Sequence, residues 1–223
     1  MYQNPYIKIK PKTRKPYTEV YLIRHCNPDY KLESSLGEKK MPLSVLGLKQ
    51  RKYLTKKLLT LNIDCIYSSG IKRSEETAAL FAKKAEKEII INNRFNEIDW
   101  KNWSRIRYFN MSEKKRAKHL KNYRDLDNQL DKMQVIARRA LADIFKNNKG
   151  QQIAIFSHGN FIKALITGIL NADVIGFLSL EIFQSSISKL MIDRDGYVKI
   201  SYINDVGHLP IVPQEDLFIS LHD

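Results

Sequence analysis

Cysteine is nearly absent: Cys26 and Cys65 are the only two in 223 residues. They are too few for a disulfide framework and stand at no metal-ligand spacing. Long hydrophobic runs are missing too. Purely apolar stretches stay as short as Ile153-Ala154-Ile155-Phe156, far below the ~20 residues that span a bilayer. The opening segment, MYQNPYIKIKPKTRKPY, has basic residues but no apolar centre, which argues against a secretory signal. No G-x-x-x-x-G-K-[ST] loop occurs, which argues against a nucleoside-triphosphate hydrolase. Internal repeats and long low-complexity linkers are lacking. Acid is scarce as well, with 24 Asp and Glu against 38 Lys and Arg and a net charge of +14. These absences lead us to expect a cytoplasmic chain with no membrane partner, no metal and no cofactor.

What is present fits a globular protein, with 43% apolar and 28% charged residues. One α/β core can occupy this length. The positive balance favours polyanionic partners by steering, whether phosphorylated metabolites, nucleic acid or anionic lipid; of these, a small phosphorylated metabolite or nucleotide is the expected partner. Nucleic acid is a less favoured partner, and a solvated lysine-rich surface would carry the same charge. No oligomeric state is specified. Residues 1–16 hold three prolines and five Lys or Arg with no acid, which predicts a basic arm ahead of a single domain over 17–223.

Glu19 to Ile23 reads as a strand that ends on Arg24-His25. Ser44 is placed to cap a helix with Leu54, Leu58 and Leu61 on one face. Cys65-Ile66-Tyr67 is a strand running into Ser68-Ser69-Gly70, and the helix after it aligns Ala78, Phe81, Ala82 and Ala85. Ile89 to Ile91 is another strand. A helix from about Leu130 to Asn148 sets Met133, Ile136, Ala137, Ala140, Leu141 and Ile144 on one stripe, with Gly150 as its stop. Ile153 to Phe156 is an apolar strand that delivers Ser157-His158-Gly159 to a further helix. Strands around Ser188 to Ile192 and Tyr197 to Ile203 pair as a hairpin about Arg194-Asp195-Gly196. The alternation predicts an α/β three-layer sandwich, a mostly parallel central sheet with helices on both faces. Ligands of such sheets bind beyond the carboxyl ends of the strands. His25, the Ser68-Ser69 turn and His158 all sit there.

Arg24-His25, Arg73 and His158 therefore form a candidate pocket for a tetrahedral dianion. Guanidinium forks match phosphate oxygens in geometry and charge, and a neutral imidazole can attack phosphorus without metal assistance. The other cations would stabilise the oxygens in flight. A leaving alkoxide needs a proton, for which Glu97 is the candidate general acid.

The chain resembles the histidine phosphatase superfamily, the phosphoglycerate mutase-like fold, in its bacterial single-domain branch. Val20-Tyr21-Leu22-Ile23-Arg24-His25 is similar to the strand carrying the family's R-H-G motif. Pro42-Leu43-Ser44-Val45-Leu46-Gly47, with Gln50, resembles its "PLT-x-x-G" helix start. Ile66 to Arg73, followed by Thr77-Ala78, resembles "YSSPLxRxxxTA". Asn96-Glu97-Ile98-Asp99 with Trp103 resembles "REIDFGxW", and Phe156 to Asn160 resembles the "SHG" element. Asn204 to Leu209 is similar to a segment of bacterial phosphatases. The resemblance implies His25 as the phosphorylated nucleophile, Arg24, Arg73 and His158 as holders of the phosphoryl group, and Glu97 as proton donor. Asn27 and His208 are candidates for the pocket mouth.

Several positions depart from the family pattern. Cys26 replaces the glycine after the nucleophile, and its closeness to two arginines predicts a reactive, oxidant-sensitive thiolate. Lys31 stands where many members have asparagine, Gly70 replaces a proline, and the "GES" before the long helix is missing. A phosphatase of phosphate monoesters is the favoured reading. A phosphoglycerate-type mutase and a non-catalytic phosphate-binding regulator are the alternatives. Residues 101–124 carry nine Lys or Arg against Glu113 alone, with Trp103, Tyr108, Phe109 and Tyr123 interleaved. This predicts a lid-like insertion over about 100–131. Asp193-Arg194-Asp195-Gly196 mimics an aspartate-phosphatase motif, but too little chain follows it, and a hairpin turn is the better reading. Neither cysteine begins a C-x5-R loop. His119 and His222 lack ligand-spaced partners.

Overall fold

The computed structural model describes residues 17–98 and 112–210. The expected arm over 1–16, the first part of the expected lid and His222 lie outside them. In chain order the elements are β1 (Thr18–Arg24), α1 (Glu33–Leu36), α2 (Val45–Leu58), β2 (Cys65–Ser68), α3 (Lys72–Ala85), β3 (Ile89–Ile91), α4 (Glu113–His119), α5 (Tyr123–Asn147), β4 (Gln152–Ser157), α6 (Gly159–Leu170), α7 (Val174–Ser179), β5 (Ile187–Ile192) and β6 (Val198–Asp205).

The strands form one sheet in the order β3-β2-β4-β1-β5-β6. The first four run parallel, while β5 and β6 are antiparallel additions beyond β1. β1 and β4 lie at the centre, and their residues are buried on both faces. Val20 and Leu22 of β1, with Ile153 and Ile155 of β4, pack beneath α5, α6 and α7. Tyr21, Ile23, Ala154 and Phe156 point the other way, onto Leu54 and Leu58 of α2 and Ala78, Phe81 and Ala82 of α3. The period of two along each strand thus divides the core into one cluster on each side.

Local chemistry fixes the element ends. The Gly47 N–H donates to Ser44 Oγ at 3.0 Å, the N-cap bond that starts α2. α2 closes at Leu58, so Leu61 packs against the core from the turn that follows. The hairpin about Asp193 to Tyr197 is held by Asp193 Oδ1, which accepts from the N–H groups of Asp195 and Tyr197. The Asp193 carboxylate is spent on the turn. α5 begins seven residues before Leu130, and Ile136 leaves the expected stripe. It is 53% exposed and lines a shallow groove with Arg94 and Arg139. Met133, Ala137, Ala140, Leu141 and Ile144 carry the burial instead. No helix among the described residues is long and apolar enough to cross a membrane.

Candidate active site

β1 and β4 lie side by side and in parallel, with Arg24 in register with Ser157. The residues that follow each strand therefore emerge together: His25 after β1, and His158 at the start of α6. Their ring centroids are 5.1 Å apart. The neighbouring β2 ends on Ser68 and feeds the turn to α3, whose first turn carries Arg73. Arg73 Nε donates to His25 Nε2 at 3.1 Å. Four of the expected residues thus gather at one end of the central strands.

The hydrogen bonds assign the imidazole protons. His25 Nδ1 lies 2.8 Å from the Cys26 carbonyl oxygen, which can only accept, so Nδ1 carries the hydrogen and Nε2 keeps a lone pair. Burial, then His158, Arg73 and Arg24, hold the His25 pKa well below the ordinary imidazole value. The ring is neutral at physiological pH. His158 Nε2 is 2.7 Å from Ser69 Oγ, which already accepts from the Ile71 N–H. With Ser69 as the donor to Nε2, the neutral His158 ring bears its hydrogen on Nδ1, the tautomer that offers a donor to the pocket. Burial, with Arg73 and Arg24, lowers its pKa too.

Of the buried polar atoms with no protein partner, His158 Nδ1 and Arg24 Nε belong to this cluster; Arg51 Nε, Thr55 Oγ1, Ser186 Oγ and His208 Nδ1 are the others among the described residues. An unpaired buried polar group is costly, and a phosphoryl oxygen would satisfy these two. Arg24 Nη1 donates to the Ile182 carbonyl, and the guanidinium lies across Gly159. A Cβ on Gly159 would stand 3.3 Å from Arg24 Cζ and Nε, a tight contact that would make the guanidinium shift by a few tenths of an ångström.

Glu97 joins the site across the start of α6. Its Oε1 accepts from the Asn160 N–H at 3.1 Å and the Phe161 N–H at 3.3 Å, among the unpaired amides of the helix start. Burial raises the carboxyl pKa against the opposing pull of Arg24, Arg73 and the amides. This carboxyl keeps its proton to higher pH than an exposed one.

Other expectations come out differently. The polar groups of Asn27 are spent on bracing. Its Nδ2 donates to Gln184 Oε1 at 2.8 Å, its Oδ1 accepts from Ser44 Oγ at 2.6 Å, and its N–H donates to Gln50. His208 lies behind the His25 main chain. Its Nε2 is 3.1 Å from Ser185 Oγ, and the Ser185 N–H donates to the His25 carbonyl at 3.1 Å. Burial lowers its pKa to about 4. The expected Cys26 thiolate is overturned. Cys26 is fully buried among Ile23, Leu43 and Phe81 on the α2–α3 side, and burial pushes its thiol up to about 12. Gly70, in the proline position, donates its N–H to Asn96 Oδ1 at 2.9 Å, a bond proline cannot make.

Three residues near the site were given no role by the sequence reading. Ser69, placed there only as part of the strand-end turn, bonds His158. Glu38 reaches Arg73 from a loop, and no motif marked it. Lys163 stands one turn into α6 with Nζ 4.6 Å from the Phe177 ring centroid. Burial lowers its pKa to about 8. Among the described residues, no three or more His, Cys, Asp or Glu side chains gather as a metal-binding cluster.

The chain is similar to known proteins in sequence and in fold. The Enterobacter sp. (strain 638) protein described as "Probable phosphoglycerate mutase GpmB" is 23% identical over 211 residues, covering 89% of this chain and 98% of that protein. Phosphoserine phosphatase 1 of Hydrogenobacter thermophilus is 27% identical over 206 residues, covering 86% and 94%. Among solved structures, a mutant phosphoserine phosphatase from Entamoeba histolytica in complex with phosphoserine superposes with a TM-score of 0.68. It has 21% identity and covers 86% of this chain and all of that one. Residues 20–205 match the histidine phosphatase superfamily (branch 1), and the chain belongs to that family.

Proposed function

We propose that this chain hydrolyses phosphate monoesters of small metabolites through a phosphohistidine at His25, without a metal. The observation that carries this reading is the His25 imidazole, neutral and with Nδ1–H held by the Cys26 carbonyl. Its Nε2 lone pair, which Arg73 Nε holds in the free protein, faces an incoming phosphoryl group once that bond is given up, and the neighbouring Arg24 and His158 each keep a buried nitrogen with no protein partner. Arg24, Arg73 and His158 donate to the phosphoryl oxygens, and His25 Nε2 attacks phosphorus in line with the ester oxygen. As the N–P bond forms and the P–O bond breaks, Glu97 gives its proton to the departing alkoxide. Water then attacks the phosphohistidine, Glu97 takes a proton from it, and inorganic phosphate leaves with Nε2 free again.

The phosphatase relatives and the raised Glu97 pKa support hydrolysis. The GpmB resemblance favours a second reading, in which a product hydroxyl takes the phosphoryl group in place of water. The basic stretch Lys114, Lys115, Arg116, Lys118, Lys121 and Arg124 supports a substrate with more than one anionic group. In the hydrolytic reading, mass spectrometry of turnover mixtures denatured at alkaline pH finds a phosphoryl group on the Arg24-His25 peptide that later acid treatment removes. His25→Ala loses both the adduct and turnover. Turnover that chelator abolishes and a divalent ion restores would contradict the proposal. Transfer that needs a bisphosphate primer would select the mutase.

A further inference from the structure

Each of the three nitrogens of the Arg73 guanidinium has a protein partner, which takes up three of its five N–H groups. Its Nε donates to His25 Nε2, its Nη1 to the Glu38 backbone carbonyl at 2.8 Å, and its Nη2 to Glu38 Oε1 at 3.0 Å. The Arg73 side chain is 5% exposed, whereas that of Glu38 is 54% exposed. The acid therefore reaches inward from the surface to meet a buried base. It comes from Tyr30 to Lys40, an exposed stretch of three short turns in which Gly37 takes a φ of +76° just before Glu38. Arg24 and His158 show the contrast, since each keeps a buried donor with no protein partner.

A carboxylate oxygen on a guanidinium fork matches a phosphoryl oxygen in charge sign, in acceptor geometry and nearly in distance. We propose that Glu38 is a built-in competitor for the phosphoryl group at Arg73, a specificity-determining residue that sets how readily the pocket accepts a phosphate ester. This rests on the phosphoryl-transfer reading of the same pocket. To bind, a phosphoryl group takes the Arg73 donors from Glu38, whose half-exposed side chain turns out into water. Esters whose leaving groups make contacts of their own outside the pocket can drive that exchange. Free phosphate has no such contacts, so Glu38 also weakens retention of the product.

A brace would behave in the opposite way. If Glu38 only held Arg73 in position, removing it would loosen the guanidinium and weaken phosphate binding. The test compares the full chain with Glu38→Gln and Glu38→Ala. Affinity for inorganic phosphate is measured by titration calorimetry, and KM with a chromogenic aryl phosphate. Both variants are expected to bind phosphate about two- to fivefold more tightly, the range for a partly exposed ion pair. KM falls in step and changes more than kcat. Glu38 is at the surface, and an unchanged thermal midpoint in both variants ties the shift to the pocket. Phosphate affinity that is unchanged or weaker in both variants overturns the proposal and leaves the phosphohistidine reading standing. A wild-type chain that forms no His25 adduct overturns that reading, while the phosphate titrations still decide the role of Glu38.

Discussion

Glu97 holds two tendencies in balance. Burial favours its protonated form, and the amides at the start of α6 favour the carboxylate. A group balanced in this way can give up a proton in one half-reaction and take one back in the next. Glu97→Gln keeps the size of the side chain and abolishes the exchange. Turnover of alkyl phosphates should fall by about 10²–10⁴-fold, while aryl esters with good leaving groups lose far less in the first step. Equal losses for both, measured by single-turnover kinetics, would make Glu97 a structural residue. Cys26 teaches the opposite lesson at the same scale. Proximity to arginines in the sequence suggested a thiolate, but β1 ends at Arg24 and the chain turns. The period of two no longer tells where the next side chains point. His25 enters the pocket, Cys26 enters the core, and desolvation outweighs the cations.

The junction between the loop after His25 and the start of α2 is packed around Gly47. A Cβ there would stand 2.0 Å from the Asn27 carbonyl oxygen, a backbone atom with no room to yield. In an unconstrained helix, alanine would be favoured over glycine by about 1 kcal/mol. Here the clash should reverse the sign, and Gly47→Ala should destabilise the protein by about 1–3 kcal/mol. Urea unfolding checks this, and a stabilised variant would mean that the loop moves freely. Most elements were legible because strand and helix patterns are local. Ser44 as a cap, Ala78 and Phe81 on a buried face, and the Asp193 turn follow from their immediate neighbours. Glu38 on Arg73 and the α6 amides on Glu97 were not legible, since each joins exposed or loop residues across many positions. The strand-end positions of His25 and His158 were readable because apolar runs stop there. Their 5.1 Å approach depended on β1 and β4 being adjacent, which no local pattern specifies.

At the level of the whole molecule, three imidazoles among the described residues are held neutral by burial. His25 and His158 have pKa values well below the ordinary one, and that of His208 is about 4. In the unfolded chain each takes up a proton as the pH falls through about 6.5. The folded chain does so only at lower pH. Their contribution to stability is therefore complete above about pH 6.5 and is lost on acidification towards 4. Tm should drop between pH 7 and pH 5, by about 2–4 °C for each kcal/mol lost in a chain of this size. His208→Asn should make that slope shallower, and a flat wild-type profile would show that the imidazoles titrate alike in both states. The sheet order has a further consequence, for the timing of folding. Arg24 and Ile182, bonded across the pocket, are 158 positions apart, and Ser69 and His158 are 89 apart. Closing such long loops is slow compared with forming helices. A nascent chain emerging from the ribosome holds His25, Arg24 and Arg73 long before β4 is synthesised, so it carries the imidazole and both arginines without His158 or the strand that brings them together. The capacity to handle phosphate would arrive late and all at once, when β4 slots between β1 and β2.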